Sequence, residues 1–128
     1  MQDQRMICIV PRHLSGIASG IQALHAVVEY SIKFNETLEW KKWSKRSKTL
    51  VLLESHTTQQ LDEVFEELKG KLKYPVAKFI EPDLGDAVTA ICFLIGQSVW
   101  DTKSFPDGDS MEDLALRRIK NQFNLASN

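Results

Sequence analysis

The order of apolar segments predicts a three-layer α/β domain: a small four-stranded mixed sheet with helices on both faces, in the order β-α-β-α-β-β-α. Two observations carry this. Short apolar runs alternate with stretches of helical periodicity, which is the pattern of strand–helix–strand crossovers and parallel pairing. The last two runs are separated only by a short turn segment, which makes them antiparallel neighbours. The chain has 128 residues, 43% hydrophobic and 26% charged. That is enough for one domain with a real core and excludes intrinsic disorder and coiled coil.

The first run, Arg5-Met6-Ile7-Cys8-Ile9-Val10, stops at Pro11 and has the composition of a strand buried on both faces. After the loop Arg12–Gly16, Ile17, Ile21, Leu24, Val28 and Ile32 recur at helical spacing and predict a helix from about Ile17 to Phe34. Glu36 to Lys48 reads as a polar connection carrying Trp40 and Trp43. Thr49–Leu53 is a second buried strand. Thr57 with Gln60 has the form of a capping box, and Leu61, Val64, Phe65 and Leu68 give the helix it opens an apolar face. Val76–Ile80 is a third strand, Asp83–Asp86 is turn chemistry, and Val88–Ile95 is a fourth strand. Gly96 to Asp109 reads as polar and irregular. Ser110 with Asp113 resembles a helix start, followed by an apolar face of Leu114, Ala115, Ile119 and Phe123. Residues 1–128 form a single domain, with 97–128 as a C-terminal extension bearing the last helix.

Charge and special residues narrow the function. Sixteen basic against seventeen acidic residues give a net charge of −1, which argues against nucleic-acid binding by overall positive charge. The charge is nevertheless segregated. Glu81 to Asp113 holds eight acids and one lysine, whereas Trp40 to Lys48 holds five basic residues and two tryptophans. The basic segment, with Trp43, Lys45 and Arg46, has the composition to hold phosphates and stack a base. It reads equally as a solvated connection with one tryptophan folded inward. Cys8 and Cys92 lie in apolar runs and read as small buried hydrophobes. His13, His25 and His56 lack metal-ligand spacing. The N-terminus lacks a signal-peptide pattern, and the longest apolar stretch, Ala87 to Ile95, is too short to span a membrane. A cytoplasmic protein without membrane partner, metal or cofactor is the expectation. No phosphate-binding glycine fingerprint or nucleophile elbow is present.

Open α/β sheets bind ligands beyond the carboxyl ends of their parallel strands. That places the candidate cleft at the Arg12–Gly16 loop, the start of the first helix and Ser55-His56. Gln22 and His25 stand one turn apart on that helix. His25 reads either as a general base or ligand-binding group, or as a partly buried histidine hydrogen-bonded to backbone.

Gln22-Ala23-Leu24-His25-Ala26 resembles the Gln-x-x-His-Ala helix motif of type II peptidyl-tRNA hydrolases. Thr49–Leu53 resembles that family's second strand. Glu81-Pro82-Asp83-Leu84, followed by Thr89-Ala90-Ile91, is similar to the Glu-Pro-Asp-Leu…Leu-Thr-Ala stretch of its bacterial-type branch. The approach Trp43…Ser47-x-Thr49 fits the same branch, and order and spacing agree from about Arg5 to Gly96. The resemblance implies hydrolysis of the ester joining peptide to tRNA, without metal or cofactor, in a homodimer. It implies His25, Asp83 and Thr89 as catalytic residues: His25 to take or relay a proton, Asp83 to orient water or a histidine proton, Thr89 to hold water or the terminal ribose. Arg12, His13, Gln22, Trp43, Lys45 and Arg46 are then the substrate-binding candidates.

The sequence also departs from the family pattern. Ala18 stands where the family has its catalytic lysine, Ile17 where it has a glycine, and His13 where an aspartate follows the first strand. Arg12 is the nearest candidate for a replacement cation. The alternative reading is a non-catalytic member of the same fold that binds or sequesters a nucleotide or RNA end.

Overall fold

The structure is a computed structural model, and it describes residues 3–101 and 110–126. Five strands, rather than the expected four, form one mixed sheet: β1 (Gln4–Pro11), β2 (Thr49–Ser55), β3 (Ala77–Glu81), β4 (Ala87–Gly96) and β5 (Asn124–Leu125). Their spatial order is β3-β4-β1-β2-β5. β1 and β2 are parallel, from Arg5 opposite Thr49 to Pro11 opposite Ser55. β4 runs antiparallel to both β1 and β3, and β5 pairs antiparallel with Leu53 and Glu54. β5 is only two residues long, too short for any periodicity to reveal it.

Both faces of the sheet are covered. Met6, Cys8 and Val10 point to the side of helix α1 (Gly16–Phe34), while Ile7 and Ile9 point to that of α3 (Thr58–Glu66) and α5 (Met111–Asn121). This is the buried-on-both-faces strand expected of a central parallel element. Cys8 and Cys92 are cross-strand neighbours with free, buried thiols.

Capping sets the helix starts. Ser15 accepts from the Ala18 N–H at 3.1 Å, and Thr57 and Gln60 form the full reciprocal box. Ser110 accepts from the Asp113 N–H at 3.0 Å. The buried face of α5 is Leu116 and Ile119, with Phe123 beyond it; the expected Leu114 is exposed. One residue of phase is the difference, because Arg117 donates to the Val99 and Ser98 carbonyls and so fixes which side of the helix faces inward.

The presumed polar connection after α1 is helical. Thr37 caps a short helix α2 (Leu38–Lys42), and a π-type turn follows over Trp43–Ser47. Trp40 packs on Tyr30 and Trp43, so both tryptophans extend the core beside α1. Gln97–Trp100 forms one helical turn, α4, within the segment expected to be irregular. The rest of that segment, 102–109, lies outside the described residues. No helix among the described residues is long and apolar enough to cross a membrane.

The largest departure concerns the orientation of α1. Its sheet-facing side is Ser19, Gln22, Ala23, Ala26 and Tyr30. The apolar stripe that predicted the helix points outward: Ile17 is 80% exposed, Leu24 62% and Ile32 66%, with Ile21 and Val28 also exposed. Small side chains at 19, 23 and 26 let the helix lie close to the sheet, where dispersion contacts are most numerous. The bulky stripe is left over.

Candidate functional site

β1 ends at Pro11, and the parallel ladder is extended once more by the Arg12 N–H donating to the Ser55 carbonyl at 2.8 Å. From there the chain turns through His13 and Leu14 into α1, so Arg12 and His13 stand exposed at the carboxyl end of the parallel pair. This is the edge at which the sequence places the cleft.

Two turns into α1, Gln22 reaches the sheet. Its Oε1 accepts from the Thr89 hydroxyl and its Nε2 donates to Glu81 Oε2 at 3.2 Å. Glu81 uses its other oxygen, Oε1, to accept from the Asp83 N–H at 3.2 Å, capping the 3-10 turn Pro82–Leu84 that presents Asp83. Gly85 closes that turn with φ 68°, a left-handed conformation that glycine adopts without strain, and Asp86 follows at φ 61°. A continuous polar chain therefore runs from β4 through α1 to the end of β3 and into the turn.

Thr89 enters this chain because the sheet is irregular there. Phe79 pairs with Ala90, but Ile80 pairs with Val88, so Thr89 is an extra residue in β4. Val88 packs on the α3 side and Ala90 on the α1 side, which strict alternation would forbid. The bulge turns Thr89 toward α1, a common way of re-aiming a side chain next to a site. Thr89 is fully buried and its hydroxyl is committed to Gln22.

His25, one turn after Gln22, is exposed and lies flat on Phe79 of β3, with ring centroids 4.4 Å apart and planes 14° from parallel. The stack fixes the ring plane while the residue stays exposed to solvent. Asp83 is exposed on its turn nearby in the chain of contacts. The structure thus joins Thr89 to Gln22 directly and Gln22 to the Asp83 turn through Glu81, with His25 one helical turn from Gln22. Glu81 is the residue that sequence reasoning missed. A glutamate ending an edge strand looks like ordinary solvated charge; its place before the Pro-Asp-Leu turn was the available signal.

The basic segment lies elsewhere. Trp43 packs with Trp40 and donates its ring N–H to the Thr49 carbonyl at 2.7 Å, while Lys45 and Arg46 are exposed. Arg46 shares a cleft with Arg5 and Thr49, at the amino ends of β1 and β2. β1 spans eight residues, so roughly 23 Å separate this end from Arg12. Among the described residues no cluster of three histidine, cysteine or carboxylate side chains is arranged to hold a metal ion.

No protein-family model matches this chain, and no curated protein matches it.

Proposed function

We propose that the protein is a peptidyl-tRNA hydrolase-like enzyme that cleaves the ester between a peptide and the 3′ end of tRNA. The observation that carries the reading is the convergence of Gln22, Thr89 and the Asp83 turn on one hydrogen-bonded chain, beside an exposed His25 held flat on Phe79. These residues are far apart in sequence and are the ones the family motif selects. In this reading His25 acts as general base toward water and Asp83 orients that water or the imidazolium. Thr89 and Gln22 position the helix against the turn rather than touch substrate. Arg12 supplies positive charge for the terminal phosphate, standing in for the family's lysine, whose position Ala18 occupies, and His13 stands next to it on the same turn.

The test is hydrolysis of purified N-acylated aminoacyl-tRNA by the wild-type protein beside a folded His25→Ala variant. Loss of a general base lowers turnover by about 10²–10⁴-fold. Absence of turnover from folded wild-type protein overturns the enzyme reading. Ala18 favours the alternative in that case, a binder of a tRNA end or nucleotide, for which the measurement is a ligand-dependent rise in melting temperature.

The same reading includes a homodimer, and the outward stripe of α1 supplies its surface. Ile17, Ile21, Leu24, Val28 and Ile32 fall within an arc of about 80° on a helix about 28 Å long. A patch of this kind marks an interaction site rather than ordinary surface. The occupant is a second copy because the stripe is nearly palindromic. Positions 17 and 32, and 21 and 28, are symmetric about the point between 24 and 25. Two antiparallel copies of α1 related by a two-fold axis therefore match Ile17 with Ile32 and Ile21 with Val28, with Leu24 next to the axis, as an isologous interface requires. The same register brings the Arg12–His13 turn of one copy beside exposed Glu36 of the other. One helix face covers only on the order of 300 Å², against ~800 Å² per partner in a standard interface. The flanking turn and exposed Leu38 complete the contact. Sedimentation should give a dimer for the wild type and a folded monomer for Leu24→Glu; a wild-type monomer at micromolar concentration overturns this assembly.

A further inference from the structure

On the α5 side of the sheet, from Arg5 near the amino end of β1 to Leu53 in β2, the sheet face is incompletely covered. A cavity of about 420 Å³ lies there, walled by Ile7, Val51, Leu53 and Ile95. This volume lies within the range of small-molecule sites. Arg5 and Lys120 are its charged lining residues, and no acidic side chain is among the described residues that line it. Arg5 is held in place by its guanidinium lying over the Trp100 ring, 4.3 Å from the centroid. Arg46 lines the adjoining cleft, which shares Arg5 and Trp100. Lys120 loses affinity for its proton, first through burial and then through the charges of Arg5 and Arg117. Two cations are therefore set into an apolar cavity and repel each other, an arrangement that a bound anion relieves.

We propose that this cavity binds a small amphiphilic anion, its acyl chain or apolar ring against the sheet face and its carboxylate or phosphate head between Arg5 and Lys120. The apolar walls favour a body of several carbons over a free inorganic ion. The paired cations favour an acidic head over an alcohol. Free fatty acids and lipid phosphates share this chemistry.

The test titrates octanoate, octyl phosphate, octanol and acetate into the full chain, following amide chemical shifts. Octanoate or octyl phosphate should saturate shifts at Val51, Leu53 and Asn124, and bind at least about tenfold more tightly than octanol. The tighter of the two names the head group. Acetate should bind far more weakly, since it lacks the body. Lys120→Gln should weaken binding about tenfold while leaving the urea midpoint no lower than that of the wild type, since the buried charge it removes is itself unfavourable. The proposal fails if octanol binds as well as the anions, if Lys120→Gln leaves affinity unchanged, or if the shifts fall on α1 instead of the cavity.

Discussion

Thr89 shows how much of a site can depend on one residue of backbone irregularity. Gln22 and His25 are legible from sequence, because a polar pair one turn apart on an otherwise apolar helix asks for an explanation. The bulge is not legible, since nothing in Val88-Thr89-Ala90 distinguishes an extra residue from an alternating strand. Glu81, whose two carboxylate oxygens join Gln22 to the Asp83 turn, is marked only by its place before the Pro-Asp-Leu turn. The Thr89 hydroxyl donates to a glutamine oxygen in a fully buried position, so removing it strands that acceptor. Thr89→Val, nearly isosteric, should cost about 1–3 kcal/mol. Thr89→Ser, which keeps the donor, should cost less. Urea unfolding compares them: the midpoint should fall more for valine at unchanged slope. Equal midpoints would mean that the hydroxyl contributes nothing to the fold.

At the scale of elements, the capping signals at Thr57 and Ser110 translate directly, because a cap depends on a few adjacent residues. The apolar stripe of α1 does not. Periodicity locates the helix correctly but assumes that the bulkiest face turns inward, and here the small-residue face with Gln22 does. The stripe at 17, 21, 24, 28 and 32 is therefore not part of the core, and it is the surface on which the proposed dimer rests. The antiparallel pairing makes a demand that a generic sticky surface does not. In the proposed dimer, Ile17 of one copy meets Ile32 of the other. Ile17→Glu alone and Ile32→Glu alone should each weaken the dimer by placing charge in an apolar seam. Ile17→Glu combined with Ile32→Lys should recover much of the loss, since each copy then offers opposite charges at the meeting points. Sedimentation equilibrium on the four proteins reads the outcome, and a double variant weaker than either single one would exclude this register.

The whole molecule is the three-layer α/β domain that the element order predicts, with a fifth strand, β5, added where the chain after α5 returns to β2. Among the described residues, its layers set Tyr30, Tyr74 and Cys92 in apolar surroundings. Burial pushes the Tyr30 and Tyr74 phenols well above their ordinary 10.0, and burial together with Cys8 pushes the Cys92 thiol well above 9.0. Tyr74 donates its hydroxyl to the Leu94 carbonyl and Cys92 its thiol to the Ala26 carbonyl, bonds that exist only in the protonated forms. For each group the folded-state pKa exceeds the unfolded value. The native state then holds protons that the unfolded chain releases, and stability falls as pH rises past the unfolded values. Lys120 acts in the opposite direction: its lowered pKa makes stability rise with pH in the window just below 10.5. Three groups outweigh one, and the lysine is the least buried of the four. The urea midpoint should therefore stay level from about pH 7 to 8.5 and decline above about pH 9. Tyr74→Phe removes one of the three contributions and the decline should become shallower, whereas Lys120→Gln should steepen it. A midpoint that holds or rises through pH 10 would mean that these phenols and this thiol reach solvent, and that the two apolar layers are less closed than the structure has them.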